Sequence, residues 1–179
     1  MIENELPEDL NESICFHGHF CPGLAIGYRA AKIGLDRLGA ERAVDEELIA
    51  IVENDTCAAD AVQWLTGCTF GKGNFFFRDH GKQVFTFALR PSGRAVRVAL
   101  RPADDRPEPK DDSRDAAAEL LLSGDAELLF KIEDRTIDLP DTATIRDSIT
   151  CDECGEPAMC TRIVETDGRR LCRPCAARH

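Results

Sequence analysis

Two Cys-x2-Cys pairs close to the C-terminus, Cys151/Cys154 and Cys172/Cys175, are separated by seventeen residues. That spacing lets four thiolates surround one tetrahedral zinc ion. A tail of 29 residues has too little apolar surface to hold itself together, so the metal must supply most of its folding free energy. The residues between the pairs fit the same plan. Gly155 permits a tight knuckle, Thr161 to Glu165 and Arg169 to Leu171 flank a hairpin turn at Thr166-Asp167-Gly168, and the second pair opens a short helix. A redox pair of CxxC motifs is the alternative. It is disfavoured because both pairs share one hairpin-sized module and neither lies in a βαβ pattern. Cys160 is left over and is expected to pack nearby. Zinc modules often bind nucleic acid, but five arginines after Cys151 are matched by five acidic residues. Four thiolates on a dication add further negative charge. No basic stripe survives, which points to a structural or protein-docking role.

The rest of the chain extends this picture. A net charge of −11 and a pI near 4.8 argue against a nucleic-acid or anionic-membrane binder. Nine cysteines is a high count, yet the first residues are acidic and lack the apolar stretch of a signal peptide. No apolar run is long enough to cross a bilayer. The expectation is a cytoplasmic protein with no membrane contact, its thiols reduced and reserved for metal or chemistry. With 179 residues, 43% of them hydrophobic, one ordinary domain and a small appendage are expected: a core over 1–140 and the four-cysteine finger over 141–179.

The core carries a second concentration of soft donors, Cys15-Phe16-His17-Gly18-His19-Phe20-Cys21-Pro22-Gly23-Leu24. Pro22 as first helical residue makes Cys21 the N-cap, where the positive end of the helix dipole favours a thiolate. If the preceding residues are extended, the alternation His17-x-His19-x-Cys21 throws three donors to one side, a transition-metal half-site. The ordinary alternative is two half-buried histidines and a small hydrophobe. The helix runs from Leu24 to Leu38 with Gly39 as its C-cap, and Gly27 with Ala31 offers a packing face for a second helix or a second subunit.

Leu48 to Val52 reads as a buried strand, followed by a helix from Ala58 to Leu65 with Asn54 or Asp55 as its cap and Gly67 at its end. Cys57 then lies in the first turn of that helix, with Asp60 on the same face, in position to complete or support the site begun by His17, His19 and Cys21. Taken singly, Cys57 reads equally as an inert core thiol and Asp60 as a solvated residue. The glycine-rich stretch Thr66 to Asn74 fails the phosphate-loop spacing and reads as a close-packed loop lining the pocket, with Lys72 as a candidate anion partner. Phe75 to Phe77, Gln83 to Leu89 and Ala95 to Leu100 read as an antiparallel meander. Pro102 to Asp112 is a charged surface loop. A helix from Ala116 to Leu122 is capped near Ser113, Leu128 to Ile137 gives a last strand, and short polar segments up to Thr150 form a hinge. The fold class is α+β, with N-terminal helices packed on an antiparallel sheet.

Two long motifs, Phe16-His17-Gly18-His19-Phe20-Cys21-Pro22-Gly23-Leu24-Ala25-x-Gly27-Tyr28-Arg29-Ala30 and Cys57-x-x-Asp60-Ala61-x-Gln63-x-x-Thr66-Gly67-Cys68-Thr69-x-Gly71-Lys72-Gly73-Asn74, resemble the FmdE family, which takes its name from formylmethanofuran dehydrogenase. The tail resembles the DksA/TraR-type finger. The resemblance implies an α+β core forming an intertwined homodimer, a pocket of His17, His19, Cys21 and Cys57 able to hold a second transition ion (zinc, nickel or iron), and a treble-clef tail holding structural zinc on Cys151, Cys154, Cys172 and Cys175. Two functions stand open. One is a metal-binding accessory protein whose partner is a molybdo- or tungstoenzyme. The other is a thiol- or metal-dependent enzyme using Cys57 or Cys21 as nucleophile, His19 or His17 as base, and Lys72 to steer a small anionic substrate.

Overall fold

The computed structural model describes residues 6–179. The chain divides into two compact units, the first ending at Thr142 and the second spanning Ala143–His179.

The first unit is α+β, as expected. Its elements run α1 (Glu8–His17), α2 (Pro22–Leu38), β1 (Leu48–Val52), α3 (Cys57–Thr66), β2 (Phe75–Phe77), β3 (Val84–Leu89), β4 (Arg94–Leu100), α4 (Arg114–Ser123), α5 (Ala126–Leu129) and β5 (Phe130–Thr136). The five strands form one sheet in the order β2-β1-β3-β4-β5. The all-apolar β1 is buried along its whole length and pairs on both edges. This corrects the expected meander: β2 lies parallel to β1 at the sheet edge, and the antiparallel run is β1, β3, β4 and β5. The physical reason is the connection. A strand can return parallel only through a crossover, and α3 supplies one between β1 and β2.

Helices α2 and α3 cover one face of the sheet, packing on Phe85, Phe87, Val96 and Val98. The small residues of α2 allow close approach. A Cβ at Gly34 would come 2.1 Å from the Phe87 ring, and one at Gly27 would come 2.1 Å from the Ala58 carbonyl oxygen of α3. Gly27 is thus the contact with a second helix anticipated from the sequence. The opposite face buries Ile49, Ile51, Ala88 and Ala95 under Phe76, Ile137 and Leu139.

Three further local expectations need correction. The residues leading into His17 form α1, with Glu8 and Asp9 in its first turn favouring the positive helix end. The expected strand from Leu128 starts with the short helix α5, capped by Asp125, before β5 begins at Phe130. The expected hinge contains strand β6 (Ser148–Thr150), paired antiparallel with β7 (Pro157–Met159). Helix α4 begins as expected, its Ser113 cap accepting from Ala116 N at 3.1 Å.

The second unit has a knuckle, a hairpin and a helix. Gly155 at φ 74° closes the knuckle between β6 and β7. Strands β8 (Ile163–Thr166) and β9 (Arg169–Cys172) meet at a two-residue turn where Asp167 (φ 50°) and Gly168 (φ 74°) both adopt the left-handed conformation. A turn of that kind matches the twist of a hairpin. Helix α6 (Arg173–Ala176) follows.

Candidate metal centre

Three chain segments bring four donors together in the first unit. His17 is the last residue of α1, Cys21 is the N-cap of α2 and Cys57 is the first residue of α3. One ligand atom each from His17, His19, Cys21 and Cys57 lies within 4.8 Å of the others. That is the span of one ion, since two donors about 2.0–2.3 Å from a metal lie within about 4.6 Å of each other. The convergence does not come from strand alternation. Gly18, left-handed at φ 99°, ends α1 and turns the chain, so His19 and Cys21 approach His17 from the loop side and the His17 and His19 rings lie 4.5 Å apart.

Each donor is held by identifiable contacts. Cys21 Sγ accepts from Leu24 N at 3.4 Å, the expected cap. Helix α1 is tied to α2 through Asp9, which accepts from Tyr28 Oη and Lys32 Nζ, both at 2.9 Å. Helix α3 is capped by Thr56 rather than by Asn54 or Asp55. Asn54, buried, instead holds the cap: its Oδ1 accepts from Thr56 N at 3.2 Å and Thr56 Oγ1 at 2.8 Å, and its Nδ2 donates to Lys82 O at 2.8 Å. Gly23 gives room for the sulfurs, because a Cβ there would stand 3.2 Å from Cys57 Cβ and 3.8 Å from both Cys21 Sγ and Cys57 Sγ.

The state of His17 decides what the cluster can do. Its Nδ1 lies 2.7 Å from Asp60 Oδ2. An ionised carboxylate only accepts, so Nδ1 carries a proton, and in the neutral imidazole Nε2 is the nitrogen that offers a lone pair. That Nε2 is buried and has no hydrogen-bond partner among the described residues. A buried acceptor without a partner costs free energy unless a ligand completes it. A carboxylate that orients a histidine and leaves its other nitrogen uncommitted, in a residue grouped with soft donors, is an arrangement that suits a metal. The residues therefore fit a transition ion.

The thiol of Cys57 is pushed up, by burial first and then by the neighbouring Cys21 sulfur. This reverses the expectation from helix position alone: proximity of a second sulfur and desolvation outweigh the dipole. A cation between the sulfurs would remove both penalties. Cys68, also pushed up to about 11 by burial, donates to Leu48 O at 3.4 Å and belongs to the core. Cys15 is exposed and stands outside the cluster.

A cleft of about 410 Å³ opens at the His17 and Cys57 side of the cluster. Lys72 does not line it; its Nζ donates to Ala43 O at 3.1 Å and Val44 O at 3.4 Å, bracing the loop. The cleft wall includes Phe70 and Phe77, which sequence patterning assigns only to a loop and a strand. Their unusual exposure marks them, and exposure is not legible before the fold is known.

In the second unit the ligand atoms of Cys151, Cys154, Cys172 and Cys175 also lie within 4.8 Å of one another. Backbone N–H groups of Cys154, Cys172 and Glu153 aimed at Cys151 pull its thiol down to about 6, whereas burial and three crowding thiols push Cys175 up to about 12. Glu153 accepts from Arg169, Arg178 and His179 and so fastens the C-terminus. Cys160 lies outside the four-sulfur cluster, its N–H donating to Asp147 O at 2.8 Å.

Residues 16–131 match the family described as FmdE, molybdenum formylmethanofuran dehydrogenase operon. The chain belongs to the FmdE family. Residues 146–179 match the prokaryotic dksA/traR C4-type zinc finger. A curated relative from Archaeoglobus fulgidus, named a probable S-adenosyl-L-methionine-binding protein, is 31% identical over 188 residues that cover 90% of this chain and 50% of the relative. The chain thus spans about half the length of that relative. The crystal structure of a tungsten formylmethanofuran dehydrogenase FmdE-like protein from Syntrophus aciditrophicus superposes with a TM-score of 0.73 at 22% identity, covering 94% of this chain and 91% of the other. That likeness establishes the shared fold. The first donor cluster and the cleft lie in the FmdE-matched span, and the four cysteines lie in the finger match. With a His/Cys cluster in one family segment and a four-cysteine cluster in the other, this FmdE protein is a metal-binding protein.

Proposed function

We propose that this FmdE protein is a homodimeric accessory to a molybdenum- or tungsten-dependent redox enzyme, that it carries a transition ion on His17, His19, Cys21 and Cys57, and that its zinc finger docks the partner. The observation that carries the metal assignment is His17: Nδ1 engaged by Asp60, Nε2 buried with no hydrogen-bond partner among the described residues, and the residue grouped with a second imidazole and two sulfurs. Zinc suits the set, and nickel or iron is compatible with mixed nitrogen and sulfur donors. The family description supports the enzyme association. Elemental analysis of the full chain tests the metal assignment. The expected result is two ions per chain, falling to one in Cys57→Ser; a single ion in both proteins removes the core site. Co-purification with a molybdo- or tungstoenzyme, lost on deleting 143–179, tests the docking role.

A second reading is favoured by the cleft beside His17 and Cys57: the ion is catalytic and the chain is an enzyme. Cys57, with its thiol pushed up, suits a metal-bound sulfur better than a free nucleophile. The name of the Archaeoglobus relative makes S-adenosyl-L-methionine a candidate ligand here. Calorimetric titration of the metal-loaded chain with that compound tests it, and absence of saturable heat rejects it.

A further inference from the structure

The cleft at the cluster has a composition that selects its occupant. Phe70, Phe75 and Phe77 form its apolar wall, with the Phe70 and Phe75 rings 5.1 Å apart. Phe70 is 65% exposed and Phe77 40%. Aromatic side chains left this open beside a donor cluster gain free energy when an apolar surface covers them, and a flat ring can stack on them.

The polar lining carries one sign of charge. Asp55 and Asp60 both face the cleft, and among the described residues no lysine or arginine lines it. Asp60 is committed to His17 through one oxygen, whereas the Asp55 carboxylate and the Gln63 amide make no side-chain hydrogen bond among the described residues. The nearby Arg114 lines a separate cavity of about 230 Å³ beside His19 and Cys21. Carboxylates and aromatic faces both attract cations and repel anions. A cavity of this size also lies within the range of small-molecule sites.

We propose that this cleft binds a small molecule with a planar unsaturated ring and no net negative charge, the ring covering Phe70 and Phe77, Asp55 favouring a positive group, and the molecule's inner end abutting the His17/Cys57 side of the metal cluster. Only that last contact rests on the metal reading. A substrate of net negative charge, such as Lys72 would have steered, is disfavoured by the same charges.

Three indole compounds of matched size separate the possibilities: tryptamine (cation), tryptophol (neutral) and indole-3-acetate (anion), titrated into the full metal-loaded chain with ligand-observed NMR. Tryptamine is expected to bind at least about tenfold more tightly than indole-3-acetate, with tryptophol between them. The exposed positions give variants that leave the fold intact. Phe70→Ala is expected to weaken all three, and Asp55→Lys to reverse the charge order. Indole-3-acetate binding as tightly as tryptamine, saturable binding by none of the three, or Phe70→Ala leaving affinities unchanged would overturn the proposal. Metal content is measured on the same samples. Two ions per chain without ring binding sinks this inference and spares the metal site; ring binding with one ion per chain does the reverse.

Discussion

The two donor clusters are alike in number and span and opposite in what supports them. The finger cluster is most of its own core: Cys151, Leu171, Cys172 and Cys175 are the buried residues, with only Ala158 and Ala176 packed against them. The FmdE-type cluster sits at the rim of a large apolar core, with its histidine, N-cap sulfur and first-turn sulfur each placed by a helix that packing has already fixed. In the first case the ion makes the structure. In the second the packed helices assemble the donors by themselves, which is why a cleft and unspent side chains can stand next to them.

The severest challenge to this contrast is removal of both ions with a strong chelator. The finger is expected to unfold, losing the amide dispersion of β8 and β9, while the five-stranded sheet keeps its hydrogen-exchange protection. A core that melts together with the finger would erase the distinction. Next in size is Gly27→Ala. A Cβ 2.1 Å from a backbone carbonyl has nowhere to go, so α2 and α3 must separate at a cost of about 3 kcal/mol, read as a lower denaturant midpoint together with loss of the core ion. Asp60→Asn probes the donor set without touching the packing. Affinity for the core ion is expected to fall about 10–100-fold in a competition titration, with the finger ion retained; unchanged affinity would remove Asp60 from the site. Smallest is Thr56→Ala, which deletes the α3 cap for about 1 kcal/mol and should leave both ions bound.

Much of this is legible in the sequence because the decisive residues sit at helix starts, where local chemistry is strong. Pro22 marks Cys21 as a cap, and the helix signal after Asp55 puts Cys57 in a first turn with Asp60 a turn on. The four cysteines, the Asp167-Gly168 turn and Gly155 need only spacing. What is not legible depends on tertiary choices. Helix α1 buries little beyond Leu10 and Ser13, so its period is faint. The placement of β2 beside β1 rather than β3 is a property of sheet order, to which a run of three phenylalanines is indifferent. Lys72 reads as a pocket residue because it lies in a glycine-rich loop, yet two carbonyls hold it elsewhere. Asn54 is visible as a capping type, but its partner Lys82 lies across the sheet connection.

The meeting of backbone on backbone at Gly27 and Ala58 has one more effect. Ala58 follows Cys57 directly, so no compressible side-chain layer separates the crossing point from the sulfur it positions. For the proposed core ion, the helix spacing would be a ruler for ionic radius: a cation demanding longer bonds would have to part α3 from α2, so backbone stiffness would add to donor chemistry in discriminating between ions.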